Sequence, residues 1–228
     1  EEGIMGEEFS YYAISDGKNY RLFRSARDHK TVFDGDKGPQ TGGMGTVSPA
    51  RITKGFEKQI EERQIRPVIE GMQREGMPYV GIVYLGGIVS NGKLNTIEYN
   101  SRWGDPEAQV VIPSIQNDYA EMVWACTHGE LDKIKIMQDE KTRVCVVGAS
   151  KGYPGDYSAV KGQQITGLEE AAAMDGVIIF GAGMAQKEGK WVANGGRLCN
   201  GVGEGKDVNE AREWAYNAIA KISIEGNN

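Results

Sequence analysis

Alternating bulky and small residues predict that most strands of this chain are arranged as hairpins. Residues 9–15 alternate in this way, Asp16 and Gly17 follow as a hairpin turn, and residues 20–26 are expected to pair back on the first strand. The same pattern, interrupted by turn residues, predicts two more hairpins. They lie at residues 79–90 with 94–100 and at residues 177–186 with 191–194.

Two segments in the first part of the chain have the apolar spacing of amphipathic helices. The first covers residues 53–75, and Pro67 is expected to kink or divide it. The second is predicted to start at a capping Asn117 and to end at Gly129.

The pattern changes after about residue 140, where we predict a domain boundary. Residues 142–150 form an apolar run typical of a buried strand, and residues 207–222 are strongly amphipathic. Asp207 can cap this last helix, and Glu210 lies three residues later, as in a capping box. The mixture of hairpins and helices predicts an α+β fold with domains at 1–140 and 141–228.

Residues 26–51 show no periodicity and are predicted to form a long loop. The loop contains the acidic run DGD at 34–36 and the stretch GPQTGGMG at 38–45, where four of eight residues are glycine. A loop of this length inside a compact protein often has a function. Two interpretations remain open: a plain surface loop, or a backbone that approaches a ligand closely.

Composition and charge exclude several classes of protein. The chain has 228 residues, 39% of them hydrophobic and 25% charged, which is a globular balance, and 32 are glycine. A net charge of −6 disfavours a broad nucleic-acid surface. With no apolar run long enough to span a bilayer and no recognisable signal peptide, we expect a cytoplasmic protein without a membrane partner.

The three cysteines are far apart and form no CxxC motif. We therefore expect three reduced thiols at Cys126, Cys145 and Cys199. A zinc site is disfavoured, because the three cysteines and two histidines are scattered along the chain.

The sequence IEYN at 97–100 places a carboxylate and an amide two residues apart. Side chains at this spacing on a strand point to the same face, so Glu98 and Asn100 can offer two oxygen ligands side by side. Such a pair suits Mg²⁺, which takes few protein oxygens and leaves its other positions to water and phosphate. The alternative is a polar face on an exposed strand.

The next seven residues, SRWGDPE, add a cation and two more acids. Arg102 follows the metal-ligand pair directly, and Gly104 with Pro106 predicts a tight turn that presents Asp105 and Glu107. The alternative is a solvated turn with local ion pairs. An acid, an amide, an arginine and two acids within ten residues favour a site.

Further candidate residues are basic or follow glycines. Arg24, Arg27 and Lys30, with His29, suit a phosphate-rich ligand or form a surface charge cluster. Arg197 follows two glycines in NGGR, where backbone amides and a guanidinium could hold one anion. GYPGDY at 152–157 and NGGR can each also be ordinary turns.

Together, these stretches resemble one family of enzymes. EEGIMGEEFS, RDHK, DGDKGPQTGGMG, IEYNSRWGDPE, GYPGDY and NGGR are similar, in order and spacing, to the phosphoribosylamine–glycine ligases, which are ATP-grasp enzymes of purine biosynthesis. The resemblance covers essentially the whole chain. It implies an ATP-grasp half-domain with an antiparallel sheet and helices at 1–140, followed by a small α/β C-terminal domain at 141–228.

The resemblance also implies roles for individual residues. ATP would contact Glu1 and Glu2 at the hinge strand, Ile4 near the adenine, Glu8 or, as second choice, Glu7 at the ribose, and Lys30. Glu98 and Asn100 would hold Mg²⁺ or Mn²⁺. Arg102 would face the transferred phosphoryl group. Asp105 and the segment Gln40, Thr41, Gly42, Gly43, Met44 and Gly45 would hold glycine and the acceptor, and Arg197 the phosphoribosyl substrate.

The implied reaction joins glycine to 5-phosphoribosylamine through glycyl phosphate and converts ATP to ADP and phosphate. The family's N-terminal half should precede Glu1, so we expect the chain by itself to be inactive. We also expect the glycine-rich loop to be mobile and to close over the site. Two alternatives remain: another ATP-grasp carboxylate–amine ligase, and a non-catalytic nucleotide-binding module.

Overall fold

A computed structural model describes residues 3–224 of the chain. They form two compact units, one of residues 3–27 and 48–140 and the other of residues 28–47 and 141–224. The chain crosses between the units for the last time after residue 140, but residues 28–47 belong to the second unit. The assignment of 1–140 to an ATP-grasp half-domain and of 141–228 to a small C-terminal domain stays a prediction. The α+β class is confirmed, since antiparallel sheets and helices occur together.

Strands make up much of both units. In chain order, the strands within residues 3–224 are β1 (Glu7–Asp16), β2 (Tyr20–Leu22), β3 (Arg27–Phe33), β4 (Lys37–Ser48), β5 (Val80–Ser90), β6 (Lys93–Asn100), β7 (Thr142–Ala149), β8 (Ile165–Thr166), β9 (Val177–Gly181), β10 (Met184–Lys187), β11 (Lys190–Ala193), β12 (Arg197–Gly205) and β13 (Ser223–Ile224).

Most helices are short. In chain order, the α-helices of the described part are α1 (Glu57–Ile60), α2 (Arg66–Arg74), α3 (Ala108–Val111), α4 (Tyr119–Thr127), α5 (Leu168–Ala172) and α6 (Val208–Ile219). The longer ones are the interrupted helix formed by α1 and α2 and the last helix, α6. Single turns of 3₁₀-helix occur at Arg51–Thr53, Ile112–Ser114, Leu131–Lys133 and Ser158–Val160.

The helix predicted over residues 53–75 is interrupted before its proline, as expected. A π-helical segment, Glu61–Ile65, separates α1 from α2, and Pro67 lies in the first turn of α2. Proline has no N–H to donate to the preceding turn, and the wider π segment absorbs that break without ending the helix.

The first unit is built on an antiparallel sheet in the order β2-β1-β5-β6, which confirms the first two predicted hairpins. One face of this sheet packs against the interrupted helix. The buried residues of that core are Phe9, Tyr11, Ala13, Ala50, Ile60, Ile65, Ile69, Val83, Leu85 and Val89. The odd-numbered residues of β1 face the helix, so its even-numbered residues face the other side.

The second unit contains a five-stranded sheet in the order β3-β4-β7-β12-β9. The prediction of a long loop over residues 26–51 is therefore wrong, because β3 and β4 occupy most of it. The GPQTGGMG stretch lies within β4. Backbone pairing with neighbouring strands overrides the weak strand propensity of glycine. A Cβ atom at Gly45 would lie 2.7 Å from the carbonyl oxygen of Cys145, so the close approach to β7 requires glycine there.

The third predicted hairpin is confirmed in part. Strands β10 and β11 pair around a turn, but β9 pairs with β12 at the edge of the large sheet instead of extending the hairpin. A small sheet of β8 and β13 completes the strands described in this unit.

The helix caps follow the predicted chemistry with one shift. Asp118, not Asn117, caps α4 by accepting hydrogen bonds from the N–H groups of Ala120 and Glu121. The Asn117 side chain binds the loop backbone instead, accepting from the Met137 N–H at 2.7 Å. Asp207 caps α6 as expected.

The three cysteines are free and buried, as predicted. Burial raises the pKa of Cys199 to about 11, so this thiol stays protonated and unreactive at neutral pH. Across residues 3–224, no helix combines the length and apolar character needed to cross a bilayer.

Candidate functional site

Glu98 and Asn100 lie side by side on the edge strand β6. The Asn100 side-chain amide donates a hydrogen bond to Glu98 Oε1 at 2.9 Å. This bond leaves the amide oxygen of Asn100 and the second carboxylate oxygen of Glu98 as neighbouring acceptors. The predicted juxtaposition is confirmed, whereas the metal role stays a prediction.

A β-bulge at Ile97 determines which face carries this pair. Glu98 is paired with Gly86, but Thr96 is paired with Gly87, so Ile97 is the extra residue. Thr96 consequently turns towards the helix, where its hydroxyl accepts from the Gln64 amide at 2.9 Å. Without the extra residue, Thr96 and Glu98 would share a face. The sequence alone gave no signal for this bulge.

These two oxygens fit a magnesium-type ion that is completed by other ligands. The described residues contain no group of three histidine, cysteine, aspartate or glutamate side chains placed to hold a metal. A carboxylate and an amide oxygen alone suit Mg²⁺ or Mn²⁺ that takes its remaining ligands from water and phosphate. The donor set does not fit zinc.

The turn after β6 presents two of its charged residues and hides the third. Arg102 and Asp105 are exposed, and Gln109 donates to Asp105 Oδ1 at 3.0 Å. Glu107 was predicted to be presented as well, but it is only 3% exposed. Its position in the first turn leading into α3 directs its side chain into the unit. Trp103 also points inward and packs on Tyr12, with 5.0 Å between ring centroids.

The predicted ATP-binding residues near the start of the chain are described in part. Glu1 and Glu2 lie outside the described residues. Ile4 and Glu8 are exposed, and Glu8 belongs to the face of β1 opposite the helix. Glu7 forms an ion pair with Arg27 at 2.7 Å, and the choice of Glu8 before Glu7 at the ribose stays a prediction.

The basic cluster around SARDHK is mostly engaged with the protein itself. Arg27 pairs with Glu7, and Arg24 pairs with Asp139 at 3.7 Å and also donates to its backbone carbonyl. For these two arginines, structural ion pairs account for the charge. Lys30 lies on β3 in the second unit, where its backbone carbonyl accepts from the Thr41 hydroxyl.

In the second unit, the structure brings Arg197 to the glycine-rich strand. The Arg197 guanidinium donates to the carbonyl oxygens of Gly42 at 2.9 Å and Gly43 at 3.4 Å. The Tyr153 hydroxyl accepts from the Gly42 N–H at 3.1 Å. A side chain at Gly42 would lie 3.3 Å from the guanidinium, so glycine leaves room for this contact.

The other residues of this segment differ in accessibility. Gln40 is exposed, and Thr41 and Met44 are half-buried, whereas Gly45 is buried against β7. Gly45 packs against β7, and its role in substrate binding stays a prediction. Sequence reasoning missed Tyr153, although it flanks the Pro-Gly turn of GYPGDY, because the contact with Gly42 joins segments more than 100 residues apart.

Comparisons with known proteins identify the family of the chain. Residues 1–108 match the family model of the phosphoribosylglycinamide synthetase ATP-grasp (A) domain, and residues 143–228 match the model of its C domain. A crystal structure of phosphoribosylamine–glycine ligase from Thermotoga maritima is 36% identical with a TM-score of 0.85, covering 99% of this chain and 55% of that one.

Curated relatives carry the same name. Phosphoribosylamine–glycine ligase from Vigna unguiculata is 42% identical, with 99% of this chain and 74% of the relative covered. The enzyme from Caldanaerobacter subterraneus is 40% identical over 99% of this chain, and the chain spans 53% of its length. This chain belongs to the phosphoribosylamine–glycine ligase family.

Proposed function

We propose that the chain is part of a cytoplasmic enzyme that ligates glycine to 5-phosphoribosylamine at the expense of ATP, in purine biosynthesis. The observation that carries the proposal is the Glu98–Asn100 pair, joined by a 2.9 Å hydrogen bond and followed within five residues by the exposed Arg102 and Asp105. A metal-type oxygen pair beside an exposed cation suits the transfer of a phosphoryl group.

The reaction proceeds in two balanced steps. A carboxylate oxygen of glycine attacks the γ-phosphorus of ATP, the bond to the β-phosphate oxygen breaks, and ADP leaves. The amine nitrogen of phosphoribosylamine then attacks the carbonyl carbon of glycyl phosphate, inorganic phosphate leaves, and the nitrogen loses a proton. No protein nucleophile is needed, so the chain's task is to position reactants and neutralise charge.

The first unit supplies the phosphoryl-transfer residues. Glu98 and Asn100 would hold Mg²⁺ or Mn²⁺, and the ion would neutralise phosphate charge of ATP. Arg102 faces the transferred phosphoryl group and stabilises the charge that develops on its oxygens. Asp105 holds the amino group of glycine. Ile4 and Glu8 bind the adenine and ribose side of the nucleotide.

The second unit supplies substrate contacts. Arg197 holds the phosphate of the phosphoribosyl group, since its planar guanidinium suits phosphate oxygens. Gln40, Thr41 and Met44 lie beside Gly42 and Gly43 along β4, and we assign this strand to glycine and the acceptor. Lys30 on β3 contacts ATP.

The test is a substrate panel on the full-length protein that contains this chain. ADP release that requires both glycine and phosphoribosylamine, with one glycinamide ribonucleotide formed per ADP, is the expected result. Release driven by a different amino acid or amine would identify another ATP-grasp ligase. Nucleotide binding without turnover under any combination would indicate a non-catalytic binding module. Either of these outcomes overturns the proposal.

A further inference from the structure

Glu107 is a buried carboxylate directly behind the turn that carries Arg102 and Asp105. Its side chain is held from two strands of the sheet. Oε1 accepts hydrogen bonds from the Tyr84 hydroxyl at 2.8 Å and from the Ser10 hydroxyl at 3.0 Å. These two hydroxyls also lie 2.8 Å from each other. A carboxylate this deeply buried requires such partners.

The strands that hold Glu107 are also the ones that carry the Glu98–Asn100 pair. Tyr84 is the direct cross-strand partner of Asn100 on one side and of Tyr12 on the other. In the adjacent row, Gly86 is paired with both Ser10 and Glu98. Directly opposed residues share a face of the sheet. Ser10 and Tyr84, which bind Glu107, therefore lie on the same face of the sheet as the Glu98–Asn100 pair. They occupy two neighbouring rows of cross-strand partners.

Gly104 allows the backbone of the turn to pack closely against the Glu107 carboxylate. A Cβ atom at position 104 would lie 2.4 Å from Glu107 Oε2 and 2.6 Å from the Tyr12 hydroxyl oxygen. The backbone of the turn thus rests directly on the carboxylate, and the Gly104 carbonyl accepts from the Ala108 N–H at 3.0 Å. Trp103 also attaches the turn to helix α4, since its indole N–H donates to the Tyr119 hydroxyl at 2.9 Å.

We infer that Glu107 is a positioning residue: it fixes the distance between the Arg102–Asp105 turn and the Glu98–Asn100 pair. It touches no ligand, because it is buried beneath the turn. It acts by joining the turn to the two sheet rows from which Glu98 and Asn100 project. The inference rests on the proposed function, because positioning matters only if both groups serve one phosphoryl transfer.

The test compares variants of the full-length enzyme by steady-state kinetics. Glu107→Ala removes the anchor, and we expect kcat to fall about 10²-fold, the scale of a misplacement of about 1 Å, with the KM for ATP changed by less than about threefold. Glu107→Gln keeps the shape and one acceptor oxygen, so it should recover part of kcat. Tyr84→Phe removes one hydrogen bond while keeping the ring, and should give an intermediate kcat in the folded enzyme.

Asp16→Ala is the matched control. Asp16 is another buried carboxylate of the first unit, 9% exposed, and it binds the turn at Lys18 and Asn19. Its loss should lower Tm and leave the kcat of folded enzyme unchanged. The inference is overturned if Glu107→Gln and Tyr84→Phe both keep wild-type kcat, or if Glu107→Ala loses no more kcat than Asp16→Ala. Failure of the proposed function is separate, since it shows as wild-type enzyme without glycine-dependent ADP release.

Discussion

Two adjacent glycines on β5 serve opposite faces of the sheet. A Cβ atom at Gly86 would lie 3.3 Å from Cγ of Glu98, whereas one at Gly87 would lie 2.3 Å from the Phe9 ring. The first contact involves a flexible, exposed side chain, and the second involves the buried core. At the scale of single residues, an added methyl group therefore affects the Glu98 side chain at position 86 and the buried core at position 87.

We predict that Gly86→Ala alters metal dependence and Gly87→Ala alters stability. The added methyl at position 86 displaces the Glu98 side chain, so more Mg²⁺ is needed for half-maximal rate, while the free energy of unfolding changes by less than ~0.5 kcal/mol. The methyl at position 87 overpacks the core and should cost about 1–3 kcal/mol. Urea unfolding measures the stability of each variant, and a Mg²⁺ titration of the rate measures its metal dependence. A Mg²⁺ titration of Gly86→Ala that superimposes on wild type would contradict this assignment.

We predict that Glu98→Gln lowers the metal-dependent rate of the full-length enzyme. The substitution keeps the shape but removes the one anionic ligand of the pair, and loss of a charge contact at a reacting centre costs ~10²-fold or more. Glu62→Gln is the control, since Glu62 forms an ion pair with Lys58 on the interrupted helix. It should behave as wild type. Equal rates for Glu98→Gln and wild type across the Mg²⁺ titration would exclude the metal role.

At the scale of elements, the glycine-rich strand β12 allows helix α6 to approach closely. Gly201, Gly203 and Gly205 lie at alternate positions and face the helix. A Cβ atom at Gly203 would lie 2.1 Å from the Ala211 carbonyl oxygen and 2.6 Å from the Ala215 nitrogen. Ala211 and Ala215 are themselves fully buried. Small residues on both elements thus set a short distance between helix and strand.

We predict that Gly203→Ala destabilises the second unit, because the methyl group meets helix backbone that cannot rotate away. The expected loss is at least about 1–3 kcal/mol in the free energy of unfolding. Gly71→Ala provides a control of opposite sign. Gly71 is in α2 with no atom near its Cβ position, so alanine there should stabilise by about 0.5–1 kcal/mol. Denaturant unfolding of both variants checks the pair, and a Gly203→Ala variant as stable as wild type would refute the close-approach argument.

A buried arginine links strands β7 and β12. Arg143 is 2% exposed and pairs with Glu204, which also binds Lys141 at 2.8 Å. Burial by itself would raise the pKa of Glu204, but the Lys141 hydrogen bond and the Arg143 charge outweigh it and hold the pKa below its ordinary value of 4.5. Folding therefore favours the ionised form, and the stabilisation is present above this pH and is lost as pH falls through the folded-state pKa.

We predict that Glu204→Gln costs about 3–5 kcal/mol at neutral pH, because it removes the charge that Glu204 supplies to the buried Arg143. As pH falls below 4.5 and through the folded-state pKa of Glu204, the wild-type protein loses this contribution, so the difference between wild type and variant should shrink. The double variant Arg143→Met with Glu204→Gln should recover much of the loss. Unfolding curves at pH 7 and at a pH well below 4.5 measure these differences. A constant difference at the two pH values would contradict the linkage.

At the scale of the whole molecule, the candidate residues are divided between the two units. Glu8, Glu98, Asn100, Arg102 and Asp105 belong to the first, whereas Lys30, the glycine-rich strand and Arg197 belong to the second. The chain spans about half the length of several curated relatives it matches. The residues that it supplies are therefore only part of what a complete ligase of this family contains.

We predict that the 228-residue chain by itself has no ligase activity. Positioning three substrates requires groups from the whole enzyme, and the missing contributions cannot be replaced by solvent. ADP release is measured with the chain alone and with the full-length protein, each with and without glycine and phosphoribosylamine. Release by the chain alone that depends on both substrates would overturn this prediction.

Features that depend on neighbours along the chain could be predicted from the amino-acid sequence. Hairpins, the interruption before Pro67, the Asp207 cap and the Glu98–Asn100 pair all rest on spacings of a few residues, which fix side-chain direction locally. Tertiary structure decided the rest. GPQTGGMG is a strand because distant strands pair with its backbone, and Tyr153 and Arg197 reach it across more than 100 residues. Glu107 is buried because hydroxyls from β1 and β5 compensate its desolvation. No local pattern encodes such long-range partners, since they arise only when the sheet assembles.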